Sequence, residues 1–206
     1  MNNNEQFGTL ADDAAIARAM DALRENGMEA MVVENGAAAV QKVLEMIPQG
    51  AEVFNMQSTT LVQLGLDKEF ATSGKYESVR EKLTSMDRAT QGREMQRLGA
   101  APQWAIGSVH AVTEDGHVFI ASATGSQLPA YAFGAEHVLW VVGTQKIVKD
   151  DAEALQRIRE YTFPLEDARA QKAYGVGSGI NKMLMVNKEK QAGRIMILFV
   201  KEKLGF

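Results

Sequence analysis

The chain has 206 residues, 46% of them hydrophobic and 23% charged, a balance that argues against both a disordered and a membrane-spanning protein. The formal net charge is -4 and no basic run is sustained, which excludes the phosphate-binding stripe of a typical nucleic-acid-binding protein. Because cysteine is absent, the chain itself cannot form disulfides, thiolate metal sites, iron–sulfur ligation or a cysteine nucleophile.

The start of the chain, MNNNEQFGTLADDAA, lacks the basic and apolar regions of a secretory signal. No apolar run approaches the roughly 20 residues that a bilayer requires. We therefore predict a cytoplasmic protein with a disordered tail at residues 1–8 and a single domain at residues 9–206.

The first part of the chain alternates helical and strand patterns, as α/β proteins do. A helix is predicted from a cap at Thr9 to Gly27, followed by a short buried strand at residues 29–34. A second helix is predicted from Asn35 to the stop at Pro48.

A polar, hydroxyl-rich segment follows the next predicted strand, at residues 51–54, and precedes an apolar helical turn. Ser58 and Thr59 could bind an anion there, because unpaired backbone amides point out of a helix N-terminus. The alternative is that one of these hydroxyls only caps the helix. Further on, residues 73–98 have the pattern of an exposed helix interrupted near Gly92.

The middle of the chain contains a hairpin signal and a buried strand. Asp115-Gly116 lies between two apolar segments and predicts a two-residue turn in which both residues take positive φ. Residues 138–142 are apolar throughout, as in a parallel strand covered on both faces. A helix capped at Asp150 should end at Pro164, and residues 182–186 and 194–200 are predicted as two closing strands.

Several polar groups follow predicted strands, at the sheet edge where open α/β proteins place their ligands. Lys146 comes just after the buried strand, and its ammonium group could reach a phosphate or carboxylate, or simply extend to solvent. The predicted ligand-binding residues are Ser58, Thr59, Gly107, Thr124, Gly125, Ser126, Lys146, Asn181 and Lys182.

Taken in order, a set of short segments resembles the LUD-domain family, which includes lactate utilisation protein C. The order and spacing of the segments carry the resemblance over nearly the whole chain. They are Ser58-Thr59-Thr60-Leu61 with Leu64-Gly65-Leu66, Gly107 with Ala111-Val112-Thr113-Glu114-Asp115-Gly116, Thr124-Gly125-Ser126, Val141-Val142-Gly143 with Lys146-Ile147-Val148, Arg157-Ile158-Arg159 and Pro164-Leu165-Glu166-Asp167-Ala168-Arg169.

The resemblance implies a fold like that of the NagB/RpiA/CoA transferase-like superfamily: a Rossmann-like, mostly parallel sheet flanked by helices, with a β-hairpin insertion. It also implies a connection with the oxidation of L-lactate, in which relatives act with iron–sulfur partner proteins. This chain departs from some relatives in having no cysteine, so the implied role is non-redox.

The superfamily likeness also suggests a catalytic residue, Glu114, because coenzyme A transferases use a glutamate in a similar turn as nucleophile. The alternative is a turn glutamate that faces solvent. His110 could act as an acid or base near neutral pH. A metal site is not predicted, because His110, His117 and His137 do not form a convincing ligand set.

We therefore predict a protein that binds a small anionic metabolite as a non-redox component of lactate or related organic-acid metabolism. The alternative is an acyl-transfer or isomerase-type enzyme that uses Glu114 and His110. No cofactor is predicted, since the sequence has neither a Walker pattern nor GxGxxG to support a nucleotide, and nothing that specifies coenzyme A.

Overall fold

The computed structural model describes residues 5–206 and contains strands in two sheets. The strands are β1 (Glu29–Val33), β2 (Glu52–Asn55), β3 (Glu77–Ser78), β4 (Trp104–Gly107), β5 (Ala111–Thr113), β6 (Val118–Ser122), β7 (His137–Gly143), β8 (Ile147–Val148), β9 (Lys182–Val186) and β10 (Ile195–Val200). The α-helices are α1 (Asp13–Glu25), α2 (Gly36–Met46), α3 (Thr59–Gln63), α4 (Leu66–Thr72), α5 (Val79–Ser85), α6 (Arg88–Ala100), α7 (Asp151–Arg157) and α8 (Phe163–Tyr174).

The larger sheet has the order β1-β10-β7-β4-β2-β3, and all of its neighbouring strands run parallel. The smaller sheet has the order β8-β5-β6-β9, with β5 and β6 joined as a hairpin. Helices flank the larger sheet, so the predicted Rossmann-like α/β fold with a hairpin is confirmed.

The apolar run in β7 lies in the middle of the larger sheet and is buried on both faces. Val138, Trp140 and Val142 belong to the core on one face, whereas Leu139 and Val141 belong to the core on the other. Alternate side chains of one strand thus enter two cores, as expected for a parallel strand between two helical layers.

Capping residues explain why two helices, α1 and α6, begin at residues other than those predicted. The first helix begins at Asp13 rather than after Thr9, because the Asp12 carboxylate accepts a hydrogen bond from the Ala15 amide at 2.7 Å. The predicted interruption near Gly92 is also wrong. The break lies between α5 and α6, where Asp87 caps α6, and Gly92 lies within α6.

The hairpin is present, but its turn differs from the predicted type. Only Gly116 has positive φ, at 77°, and its amide donates a hydrogen bond to the Thr113 carbonyl at 2.9 Å. The turn therefore spans Thr113 to Gly116 and needs only one residue in the left-handed region.

The last strands and the last helix also differ from the prediction. β9 pairs with β6 in the smaller sheet, and β10 pairs with β1 and β7 in the larger one, so the two strands close different sheets. Pro164 does not end a helix, because it lies in the first turn of α8, a position that proline commonly occupies. A π-helical turn, Ile158–Thr162, joins α7 to α8.

The predicted disordered tail also differs from the structure where the two overlap. Residues Glu5–Gly8 form a 3-10 turn, and residues 1–4 lie outside the described part of the chain. The turn is held because Phe7 is buried in the core beneath the smaller sheet. Among residues 5–206, every helix is too short or too polar to traverse a lipid bilayer.

Candidate functional site

A cavity of about 800 Å³ lies where three adjacent parallel strands of the larger sheet end. Its walls include the segments that follow β2, β4 and β7, together with the loop after β6 and one side of α8. This is the carboxyl edge at which open α/β sheets bind ligands, because connecting loops diverge there and leave a crevice.

Lys146 lies at the base of this cavity, and only 2% of its surface is exposed. Its Nζ atom is 3.0 Å from the Ser108 hydroxyl and 3.3 Å from the Thr60 hydroxyl. None of the ion pairs within residues 5–206 includes Lys146. Burial, with the nearby charge of Arg157, lowers the pKa of Lys146 well below its ordinary value.

Arg157 is a second buried cation close to the cavity wall, and it is fully enclosed. Its guanidinium donates to the carbonyls of His110, Gln145 and Phe7 and to the Thr162 hydroxyl. Burial lowers the pKa of Arg157 to about 10, so the side chain is still charged at neutral pH. It too is without a carboxylate partner in the described ion pairs. Neutral oxygens and the Tyr161 ring, 5.2 Å from the guanidinium carbon, compensate its burial.

His110 lines the cavity, but it differs from the predicted acid or base of near-neutral pKa. Burial lowers the pKa of His110 to about 3, with further contributions from the charges of Lys146 and Arg157. The His110 Nδ1 atom accepts a hydrogen bond from the Ala121 amide at 3.1 Å. The ring is therefore neutral near pH 7 and carries its proton on Nε2, from which it can donate.

The loop after β6 is organised by its own hydroxyl groups. The Gly125 amide donates to the Ser122 hydroxyl at 2.8 Å, and the Thr124 hydroxyl donates to Ser126 Oγ at 3.1 Å. Lys182 holds this loop from outside by donating to the Thr124 carbonyl at 2.6 Å. The loop thus keeps Thr124 and Ser126 at the cavity wall without help from a ligand.

The side chains that line the cavity carry more positive than negative charge. Four basic side chains line the cavity against one carboxylate, that of Glu166, in a protein with a net charge of -4. Arg169 pairs with Glu166 through two contacts of 2.7 Å, which neutralises that carboxylate. The remaining basic side chains are Arg80, Arg88 and Lys146.

Ser58 is at the N-terminus of α3, but its side chain makes no capping hydrogen bond there. The capping alternative considered for this serine is therefore not realised, and its hydroxyl is not used by the helix. Ser58 and Thr59 both line the cavity.

The structure brings together six of the predicted site residues around one cavity: Ser58, Thr59, His110, Thr124, Ser126 and Lys146. Four others support the wall without lining it: Gly107, Gly125, Asn181 and Lys182. Their role in binding a ligand stays a prediction, but their geometry is that of one site and its supports.

Gly107 has a packing role at the end of β4. A Cβ atom built there would overlap the Tyr131 hydroxyl, and Tyr131 is itself buried with its ring edge-on to Trp140 at 5.4 Å. The glycine therefore allows Tyr131 to lie against the strand end.

Gly107→Ala is expected to lower the free energy of unfolding by about 1–3 kcal/mol, because the added methyl group would overlap the Tyr131 hydroxyl and crowd Met56 Cβ at 3.2 Å. Urea denaturation would measure this loss. Gly92→Ala is the matched control: nothing lies within 4 Å of its Cβ position, so this helical site should gain about 0.5–1 kcal/mol. Unchanged stability in Gly107→Ala would show that the contact does not constrain the fold.

Glu114, the predicted nucleophile, is not among the residues that line the cavity. Its carboxylate accepts hydrogen bonds from Arg18 at 2.5 and 3.1 Å, and 24% of the side chain is exposed. The hairpin turn thus presents this carboxylate to α1 rather than to Lys146. The acyl-transfer hypothesis gains no support from this position.

Sequence reasoning missed several residues of the site. Ser108 directly follows the predicted Gly107, so its place at the strand end could have been recognised. Thr60 follows two predicted residues in the same way. Arg157 belongs to one of the family-like segments, but its burial was not predictable, because it results from contacts with distant residues such as Phe7.

The sequence matches a known family, and the fold is similar to that of a solved structure. The model of the LUD domain family matches residues 16–200. A crystal structure of a DUF162 family protein from Deinococcus radiodurans has 9% identity and a TM-score of 0.55, and covers 93% of this chain and 99% of that one. The eIF2B beta structure from Chaetomium thermophilum is less similar, with 13% identity, a TM-score of 0.37, and coverage of 57% of this chain and 43% of that one. No curated protein matches the sequence.

Proposed function

Because the chain belongs to the LUD domain family, which is associated with lactate utilisation, we propose that it binds a small organic anion in the cavity around Lys146. The proposed role is that of a non-redox binding component in cytoplasmic organic-acid metabolism. Its partners in this proposal are iron–sulfur proteins that carry the electrons, since this chain has no cysteine for such ligation.

The observation that carries the proposal is Lys146, a buried lysine that lines the cavity and has no carboxylate partner in the described ion pairs. Burying charge is costly unless an opposite charge or a full set of hydrogen bonds compensates it. Lys146 has only two hydroxyl neighbours, so an anion in the cavity would supply the missing compensation.

The hydroxyl groups at the cavity wall suit an anion that also carries oxygen substituents. Ser58, Thr59 and Ser126 can each donate a hydrogen bond, and His110 can donate from Nε2. A carboxylate with a neighbouring hydroxyl or carbonyl would use both Lys146 and these donors. Organic acids of the lactate type have this composition.

A thermal-shift screen would test the proposal with lactate, pyruvate, sugar phosphates, nucleotides and coenzyme A thioesters. An anion that binds should stabilise the protein by about 2.7 kcal/mol at 100 times its Kd. For a chain of this size each kcal/mol raises Tm by about 2–4 °C, so the shift is readily measured. If no organic anion shifts Tm at millimolar concentration, the proposal is wrong.

Glu114→Gln serves as the control variant for this screen. Because Glu114 lies outside the cavity, its replacement should leave the ligand-induced shift unchanged. Loss of the shift or of a turnover in Glu114→Gln would instead favour the acyl-transfer hypothesis.

A further inference from the structure

Lys146 combines features that a simple anion-binding lysine does not need. Its amine lies at the base of a cavity, is almost completely enclosed and has hydroxyl groups as its polar contacts. Removal from water and from carboxylates favours the neutral form of an amine, whereas a bound anion favours its charged form. A neutral amine facing a cavity is a nucleophile.

We propose that Lys146 forms a reversible imine with the carbonyl group of a 2-oxo acid bound in the cavity. This inference rests on the proposed function, because it requires that the cavity hold an organic anion. It goes further by naming the chemical class of ligand and the atom of the protein that reacts with it.

The hydrogen bonds around Nζ assign a role to each neighbouring hydroxyl. The Thr60 hydroxyl donates its one hydrogen to the Leu204 carbonyl at 3.3 Å, so Thr60 Oγ1 can only accept from the Lys146 amine. The Ser108 hydroxyl, 3.0 Å from Nζ, has no second partner in the described hydrogen bonds. Ser108 is therefore the group positioned to exchange a proton with the reacting nitrogen.

The step balances without any oxidant or reductant. The lone pair of Nζ attacks the carbonyl carbon and a C–N bond forms, while the carbonyl oxygen becomes a hydroxyl group. That hydroxyl then leaves as water with the two protons that the nitrogen has given up, and a C=N bond remains. Ser108 can carry protons between nitrogen and oxygen, and the neutral His110 can donate from Nε2 to an oxygen of the ligand.

The electrostatic surroundings agree with a reactive amine at neutral pH. Arg157 contributes a fixed positive charge, and His110, also in the cavity wall, is uncharged. Glu166 is neutralised by its pairing with Arg169. With these charges around it, burial holds the pKa of Lys146 well below its ordinary value, and each unit of lowering raises the fraction of neutral amine about tenfold.

Reductive trapping would test the inference on the full chain. The protein is incubated at pH 7 with pyruvate and sodium cyanoborohydride, and peptide mapping by mass spectrometry locates any carboxyethyl group. We expect saturable labelling of one site, Lys146, at a rate at least about tenfold above that of the exposed Lys190, because of the larger fraction of neutral amine. Lys146→Met should lose this labelling, and Lys190→Met should retain it.

Lactate separates this inference from the proposed function. It has the carboxylate of pyruvate but no carbonyl, so it can bind and stabilise the protein without forming an imine. A lactate or pyruvate Tm shift with labelling spread evenly over surface lysines would overturn the imine and leave anion binding intact. Absence of both the Tm shifts and the labelling would overturn the two together. Because the mapping is done on the wild-type chain, the result does not depend on how well the variants fold.

Discussion

Arg157→Met is expected to lower the free energy of unfolding by about 3–5 kcal/mol. The guanidinium donates hydrogen bonds to the carbonyls of His110, Gln145 and Phe7, which come from three separate parts of the chain. Each buried carbonyl left without a donor costs about 1–3 kcal/mol, and loss of the buried charge offsets only part of that cost. Urea denaturation followed by circular dichroism would give the value.

Arg159 provides the matched control for this substitution, two residues away in the same helical segment. Its side chain is exposed, so Arg159→Met should change stability by no more than about 0.5 kcal/mol. If Arg157→Met costs less than about 1 kcal/mol, the guanidinium is not the link that holds these three segments together.

Lys146→Met is expected to have the opposite effect. It should raise the free energy of unfolding of the ligand-free protein at pH 7 by about 1–4 kcal/mol. The reason is that methionine fills a similar volume without the cost of removing an amine from water. The same variant should lose at least about tenfold in affinity for the organic anion, because a charged hydrogen bond contributes about 1.5–3 kcal/mol.

The gain in stability of Lys146→Met over the wild type should decrease as pH rises. The pKa of Lys146 is lower in the folded state than its ordinary value of 10.5, so the unfolded chain binds more protons between these two values. Wild-type stability therefore gains with rising pH over this range, and the advantage of Lys146→Met should shrink as pH approaches 10.5. An advantage that stays constant from pH 7 to pH 10 would contradict a depressed pKa. Lys190→Met, at an exposed position, should show neither effect.

The candidate site was predicted in part because the sequence determines which residues come directly after each strand. Ser58 and Lys146 come after β2 and β7, and parallel strands necessarily bring their carboxyl ends to one edge of the sheet. Glu114 was predicted from its likeness to a catalytic glutamate, but it does not line the cavity. The direction of a hairpin turn depends on the surface against which the hairpin packs, and here Arg18 of α1 binds the carboxylate.

The sequence by itself determined the alternation of helices and strands, the doubly covered β7 and the positive φ of Gly116, because hydrophobic period and glycine chemistry act over a few residues. Only the tertiary structure decided that β9 pairs with β6. It also decided that Arg157 and Lys146 are both buried near one cavity, with no carboxylate partner in the ion pairs of residues 5–206. Those features depend on contacts between residues far apart in the chain. Burial of a long basic side chain is a property of its neighbours, and no local pattern of residues encodes it.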